Sequence, residues 1–260
     1  MADIGGKDLA PLYFLQNHTS KRRNGIENDT GLIILNSPIS SPDLLNRVWA
    51  NTSYRVCADG GANRLFDLFE RREMSLKESC IPNEIHGDLD SLRHDVRQYY
   101  EKNKVPVTKD DDQYSTDFEK CIGRIIATLP SLSNIVVLGS LSGRVDQGIG
   151  LLSEIYRQQK QHPAVTFWLF SENSVSFILG KGQSKIATPV QEGLITENAG
   201  LLPIFGPATI TIQGFEWDVT DWETELGAQM STSNHIKSEH VTVKTDRELL
   251  FTIERLESSQ

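Results

Sequence analysis

The segment I-H-G-D-L-D-S, residues 85 to 91, places the carboxylates of Asp88 and Asp90 one residue apart, just after an apolar run. At about 4 Å two such charges repel by roughly 4 kcal/mol at an effective dielectric of 20. A solvated turn tolerates that; a pocket does so only with a cation between them. Three more polar clusters stand in the same relation to an apolar run: Cys57-Ala58-Asp59-Gly60-Gly61, Asp112-Gln113-Tyr114-Ser115-Thr116-Asp117, and Gly139-Ser140-Leu141-Ser142-Gly143-Arg144-Val145-Asp146-Gln147. Each alone is ordinary turn composition, because Asp and Gly favour turns. Four at one edge of a sheet would form a crevice rich in oxygen donors. Mg²⁺ takes such donors octahedrally, from one or two carboxylates plus substrate phosphates. The D-x-D spacing aims both carboxylates one way if the chain is extended. Asp117, in a first helical turn, stays ionised beside the positive end of the helix dipole. Gly60, Gly61, Gly139 and Gly143 would let backbone N–H groups approach phosphate. Arg144 can fork onto phosphate oxygens, or pair with Asp146 or Glu154 on its own surface. His86, beside the acids, reads as a packing or hydrogen-bonding residue, since Mg²⁺ prefers oxygen. Neither G-x-x-x-x-G-K-[ST] nor G-x-G-x-x-G occurs, so nucleotide chemistry here would rest on metal and arginine.

The elements that must position these residues are legible as two halves of different period. The apolar runs L-I-I-L (32–35), Y-R-V-C-A (54–58), I-P-N-E-I-H (81–86), K-V-P-V-T (104–108), N-I-V-V-L-G (134–139) and V-T-F-W-L-F (165–170) read as strands. L-I-I-L and I-V-V-L are apolar on both faces, as strands buried in a parallel sheet must be. Between them, Phe118, Cys121, Ile122, Ile125, Ile126 and Leu129 form a helical stripe, opened by a Thr116–Glu119 capping box. Ala62, Leu65, Phe66 and Phe69 form a second stripe, and Val145, Ile149, Leu152 and Tyr156 a third. This alternation predicts an α/β domain, doubly wound around a mostly parallel sheet, whose ligands bind beyond the carboxyl ends of the strands. After about residue 172 the period becomes two, in A-T-I-T-I-Q, H-V-T-V-K-T and L-F-T-I-E-R, with glycine turns between. That predicts an all-β C-terminal sandwich domain. The expected organisation is a polar tail over 1–30, an α/β domain over 31–171 and the sandwich over 172–260.

Composition narrows the function. The 260 residues carry a formal charge of −9, which argues against a nucleic-acid or anionic-membrane binder, since both need a basic face. No run approaches the roughly 18 apolar residues of a membrane span. The N-terminus lacks a basic stretch followed by an apolar core, so the expected location is cytoplasmic. The run Lys21-Arg22-Arg23 reads as a solvated tail. Cys57, Cys80 and Cys121 are widely spaced, without a C-x-x-C pair, and read as small core residues.

In chain order the clusters resemble the thiamine pyrophosphokinase family, in its eukaryotic form. The matching pieces are A-D-G-G-A-N-R (58–64), H-G-D-L-D-S (86–91), D-Q-Y-S-T-D-F (112–118) and G-S-L-S-G-R-V-D-Q (139–147). G-L-L-P-I (200–204), G-F-E-W-D-V-T (214–220) and S-T-S-N (231–234) complete them. The resemblance covers about residues 31 to 256. It implies transfer of a pyrophosphoryl group from ATP to the hydroxyethyl oxygen of thiamine, with release of AMP. It also implies a homodimer with sites at the interface, and Mg²⁺ as cofactor. Carried over residue by residue, Asp88, Asp90 and Asp117 match the acids that hold Mg²⁺ and the triphosphate, with Arg144 beside them in the catalytic set. Asp59, Gly60, Gln113, Arg144, Asp146 and Gln147 match the nucleotide side; Trp217, Ser231, Ser233 and Asn234 match the thiamine side. Tyr114 stands where relatives often carry Asp, and Ser140 and Ser142 where glycine or alanine is frequent. On residue type alone, Trp217 fits either a core tryptophan or a face that stacks a cationic ring. Ser231 to Asn234 likewise fit a plain turn. A carboxylate-metal phosphohydrolase and a nucleotide- or thiamine-sensing module are the rival readings; the products separate them.

Overall fold

The computed structural model describes residues 6–16, 30–39, 41–72, 79–141 and 143–256. The polar stretch 17–29, with Lys21-Arg22-Arg23, and Ser142 lie outside them. The chain separates into two units: the described parts of 17–154 with 170–172, and those of 1–16, 155–169 and 173–260.

The first unit is built on five parallel strands, β2 (Thr30–Ile34), β3 (Tyr54–Ala58), β4 (Glu84–Gly87), β5 (Val107–Lys109) and β6 (Asn134–Leu138). Their order is β6-β2-β3-β4-β5. The chain walks outward from β2 to β5, then returns to the other side of β2, as a doubly wound sheet does. Leu32, Ile33, Ile34, Val56, Cys57, Ile85 and Ile135 are fully buried, each contributing roughly 1.5–3 kcal/mol for the larger side chains. The helices are α1 (Pro42–Ala50), α2 (Gly61–Arg72), α3 (His94–Lys102), α4 (Asp117–Thr128) and the first part of α5 (Val145–Gln161). The capping expectation holds for α4: the Thr116 hydroxyl accepts the Glu119 N–H at 3.2 Å. Phe118, Cys121, Ile122 and Ile125 are buried where α4 packs on β3 and β4. The α5 stripe is a correction: the helix forms, but Val145 and Ile149 are exposed at its head. The period there fixes a helix, while among the described residues no element covers the outward face of its first two turns.

On β4, Glu84 has a buried carboxylate that accepts from Thr108 Oγ1 at 2.5 Å, Tyr54 Oη at 3.0 Å and Arg124 at 2.7 and 3.1 Å. Thr108 Oγ1 in turn meets His86 Nδ1 at 2.7 Å. Burial alone would raise the Glu84 carboxyl; Arg124, Thr108 and Tyr54 together outweigh it and hold it below the usual range. The stability this gives is present above the ordinary glutamate range and is lost as pH falls through the lowered folded value. Glu84→Gln should therefore cost about 1.5–3 kcal/mol at neutral pH. It should also flatten the acid-side fall of the melting temperature, read by calorimetry from neutral to acid pH. Arg124 is half exposed, so its share of that loss is small.

The second unit holds two sheets. One has the order β1 (Asp8–Leu9), β9 (Gly182–Ala187), β14 (His240–Thr245), β11 (Ala208–Gln213), β12 (Val219–Thr224). The other runs β13 (Ser231–His235), β10 (Ile195–Leu202), β15 (Leu249–Arg255), β8 (Ser174–Leu179), β7 (Thr166–Phe170). β10 pairs antiparallel with β13 and β15, β15 with β8, β14 with β9 and β11, and β11 with β12, while β1 runs parallel to β9. Alternation puts Ile210, Ile212, Val241 and Val243 inside from one sheet and Val175, Phe177, Phe251 and Ile253 from the other. The expected all-β sandwich is thus present.

Within the expected polar tail, stretches of residues 6–16 take up regular structure. β1 pairs with β9, and a 3-10 helix over Pro11–Leu15 buries Leu12, Phe14 and Leu15, with the Phe14 ring 5.6 Å from Trp168. A polar average over thirty residues hides the apolar run from Leu9 to Leu15. The division of the chain also follows packing more than order, since residues 155–169 group with the sandwich. No helix among the described residues is long and apolar enough to cross a membrane.

Candidate active site

In the α/β unit the strand order sets the site. β3, β4 and β5 are neighbours and parallel, so the residues after each emerge at one edge. Carboxylate oxygens of Asp59, Asp88 and Asp117 lie there within 4.8 Å of one another.

Asp59 follows β3 with φ 43°, in the left-handed region that turns the chain into α2. Its backbone N–H donates to the His86 carbonyl, and its Oδ2 accepts the Ser91 N–H, both at 3.0 Å. Its Oδ1 is buried and has no hydrogen-bond partner among the described residues. Burial, then the nearby Asp117 charge, raise the Asp59 carboxyl above its ordinary value, against the hydrogen bonds from Ser91 and Gly60. A Cβ added at Gly87 would stand 2.8 Å from Asp117 Oδ1 and 3.1 Å from Asp59 Cβ. Glycine at the end of β4 is therefore what lets the two acids approach. The Asp88 N–H donates to Asp117 Oδ1 at 3.0 Å, tying the third acid to the second.

Asp90 departs from the expected pairing. Leu89 has φ 63°, so the D-x-D segment turns instead of extending, and Asp88 Oδ1 accepts the Asp90 N–H at 3.2 Å. Asp90 is exposed and lies outside the triad; Asp59, expected on the nucleotide side, takes the third place. Gly60 approaches protein, since a Cβ there would meet Asn36 Nδ2 at 2.4 Å. Gln113 and Tyr114 are exposed in a loop that Asp112 organises by accepting from Tyr114 N and Ser115 Oγ. The fourth cluster follows β6, which β2 separates from β3. There Arg144 forks onto Asp146, at 3.1 and 2.5 Å, with both exposed and Gln147 exposed beside them.

Sequence reasoning missed Lys120. Its side chain is only 3% exposed, and Nζ reaches the Asp110 carbonyl at 3.0 Å and Asp117 Oδ1 at 3.5 Å. The available signal was the i, i+3 spacing from Asp117 on a helix.

The donor set fits Mg²⁺. Octahedral bonds of about 2.1 Å place ligand oxygens roughly 3 to 4.2 Å apart, within the span of the triad. A buried carboxylate oxygen left without a donor is costly unless a cation completes it, and Asp59 Oδ1 is such an atom.

In the sandwich, Trp217 follows the turn after β11 and is 54% exposed. Asn234 is buried and does not face outward: its Oδ1 accepts the Trp217 N–H at 3.2 Å and its Nδ2 donates to the Trp217 carbonyl at 3.1 Å. The ring of His235 lies 5.2 Å from that of Trp217 and is held by Glu216 at 2.7 Å. Ser231 is partly exposed and Ser233 exposed, the latter at φ 56°. Trp217 is thus a surface aromatic whose backbone is held by Asn234, not a core residue.

An α/β unit with acids at the carboxyl ends of its strands falls in the doubly wound class, which binds ligands at that edge. The family model described as "Thiamin pyrophosphokinase, catalytic domain" matches residues 45–167, and "Thiamin pyrophosphokinase, vitamin B1 binding domain" matches 183–250. Thiamine pyrophosphokinase 1 of Arabidopsis thaliana is 35% identical over 242 residues, covering 87% of this chain and 88% of that protein. Thiamine pyrophosphokinase of Saccharomyces cerevisiae is 30% identical, covering 89% and 86%. The crystal structure of yeast thiamin pyrophosphokinase superposes with a TM-score of 0.84 at 26% identity, over 96% of this chain and 91% of that one. That from Candida albicans gives 0.81 at 26%, over 96% and 93%. The chain belongs to the thiamine pyrophosphokinase family and is an enzyme of that type.

Proposed function

We propose that the protein transfers the pyrophosphoryl group of ATP to the hydroxyethyl oxygen of thiamine by in-line displacement. The thiamine oxygen bonds to the β-phosphorus, the bond from that phosphorus to the α-bridging oxygen breaks, and AMP leaves. The observation that carries this reading is the triad of Asp59, Asp88 and Asp117 with its partnerless buried oxygen. These three would hold Mg²⁺, with Asp90 reaching the same ligand from the solvent side. When bound, the ion neutralises polyphosphate oxygens, the dominant need of a loose phosphoryl-type transition state. Arg144 exchanges Asp146 for a phosphate oxygen, one anion for another, and stabilises the developing charge. Gly60, Gln113, Asp146 and Gln147 line the nucleotide. One of the acids takes the proton of the thiamine hydroxyl. Trp217 offers its face to the cationic ring, and Ser231 and Ser233 offer hydroxyls.

The nucleotide chemistry is assigned to residues 31–171 and thiamine recognition to 172–260, in a cytoplasmic homodimer; sedimentation analysis tests the dimer. Incubation with ATP, Mg²⁺ and thiamine tests the reaction: AMP and thiamine diphosphate should appear in equal amounts. Inorganic phosphate in their place would make the protein a phosphohydrolase. Ligand binding without AMP would make it a sensing module.

A further inference from the structure

Lys120 is a buried ammonium, and a buried charge is retained only when its surroundings answer it. Among the described residues it is the one cation with a hydrogen bond or ion pair to a triad carboxylate. It is built in from two sides. α4 brings it one turn after Asp117, on the same face. The strand end brings the Asp110 carbonyl, which Nζ holds at 3.0 Å. The loop from 110 to 116 is thereby tied to the head of the helix that carries Asp117. Its charge also has the same sign as any ion entering the triad, and in a partly buried place such repulsion is little screened.

We propose that Lys120 is the internal counter-charge of the triad. It is a positioning residue that pins Asp117 and the 110–116 loop, and it keeps the affinity for a bare divalent cation low. With three carboxylates and one ammonium, the site carries net charge enough to accept a cation already paired with polyphosphate, and too little to retain the cation alone. The inference deepens the proposed function and rests on the triad being the cation site.

The test is calorimetric titration of the full chain with Mn²⁺ alone, without nucleotide or thiamine. Lys120→Gln and Lys120→Met should each bind Mn²⁺ about tenfold or more tightly than wild type, because a like charge has left the site. Lys120→Arg, which keeps the charge, should stay near wild type. In the metal-free protein, amide hydrogen exchange over 110–116 should quicken in Lys120→Met, which has lost the donor to Asp110. A lysine that only supports the fold would give the opposite sign, a looser site once removed. Unchanged or weaker Mn²⁺ binding in the neutral variants therefore overturns the proposal. If Lys120→Met does not fold, Lys120→Gln, which keeps an N–H for Asp110, decides it. Wild-type Mn²⁺ binding by Asp59→Asn and Asp117→Asn would instead show that the cation sits elsewhere, and would overturn the triad reading itself.

Discussion

Asp117→Asn is expected to cut pyrophosphoryl transfer by more than about a hundredfold, since even the outer partners of metal ligands are worth 10- to 100-fold. The fold should survive. Asparagine keeps an Oδ1 that can accept from Asp88 N–H and Lys120 Nζ, the two donors Asp117 serves. It also leaves the Thr116 cap of α4 untouched. The melting temperature should stay within about 4 °C of wild type, the shift that roughly 1 kcal/mol gives at this size. Asp59→Asn should be equally inactive but no less stable in metal-free buffer. Burial and the Asp117 charge both disfavour the ionised form of Asp59, and a neutral isostere removes that penalty while its oxygen still accepts from Ser91. Loss of function with retained or increased stability is the behaviour of a residue kept for chemistry. AMP formation with ATP, Mg²⁺ and thiamine, beside thermal melts, reads both effects. A wild-type rate in either variant removes the triad from the reaction.

What the sequence made legible follows from physical scale. Strands apolar on both faces, such as Ile33-Ile34 and Val136-Val137, declare a covered parallel sheet, and acids after such strands must fall at one edge. Asp59, Asp88 and Asp117 were recoverable on that ground. The aim of the Asp90 carboxylate is not legible, because it depends on Leu89, whose φ of 63° is a tertiary choice that no composition rule reports. α1 escaped a stripe search although Ser41 caps it and proline opens it; a nine-residue helix shows barely two turns of period. α3 buries only Val96 and Tyr100, so it shows almost no stripe. Val145 and Ile149 had the right period and the wrong face, since periodicity gives a helix and not its neighbours. Nothing in the stripe of α4 marks Lys120 as buried; the Asp110 carbonyl, ten residues earlier, reveals why it is. Asn234 matches the thiamine side by motif order, which does not show that its amide holds the backbone of Trp217.

That last finding separates two kinds of thiamine-side residue by experiment. Trp217→Ala should raise the KM for thiamine about 3- to 30-fold, the worth of a cation over an indole face, with kcat nearly unchanged. Stability should hardly move, because more than half of the side chain is already exposed. Trp217→Phe should fall between, and a neutral analogue of the thiazolium ring should show a smaller difference between wild type and Trp217→Ala. Asn234→Ala should raise the same KM and also destabilise the sandwich by about 1–3 kcal/mol, the penalty of a buried group left unpaired. Its side chain serves Trp217 N–H, Trp217 carbonyl and His235 N–H at once. The ordering follows from geometry: Trp217 would act on the ligand through its ring, Asn234 through the loop that presents the ring. Steady-state kinetics over thiamine concentration, with parallel denaturant melts, measures both. If Trp217→Ala left the KM for thiamine and for the neutral analogue unchanged, the exposed indole would have no part in binding, and the sandwich would have to recognise thiamine elsewhere.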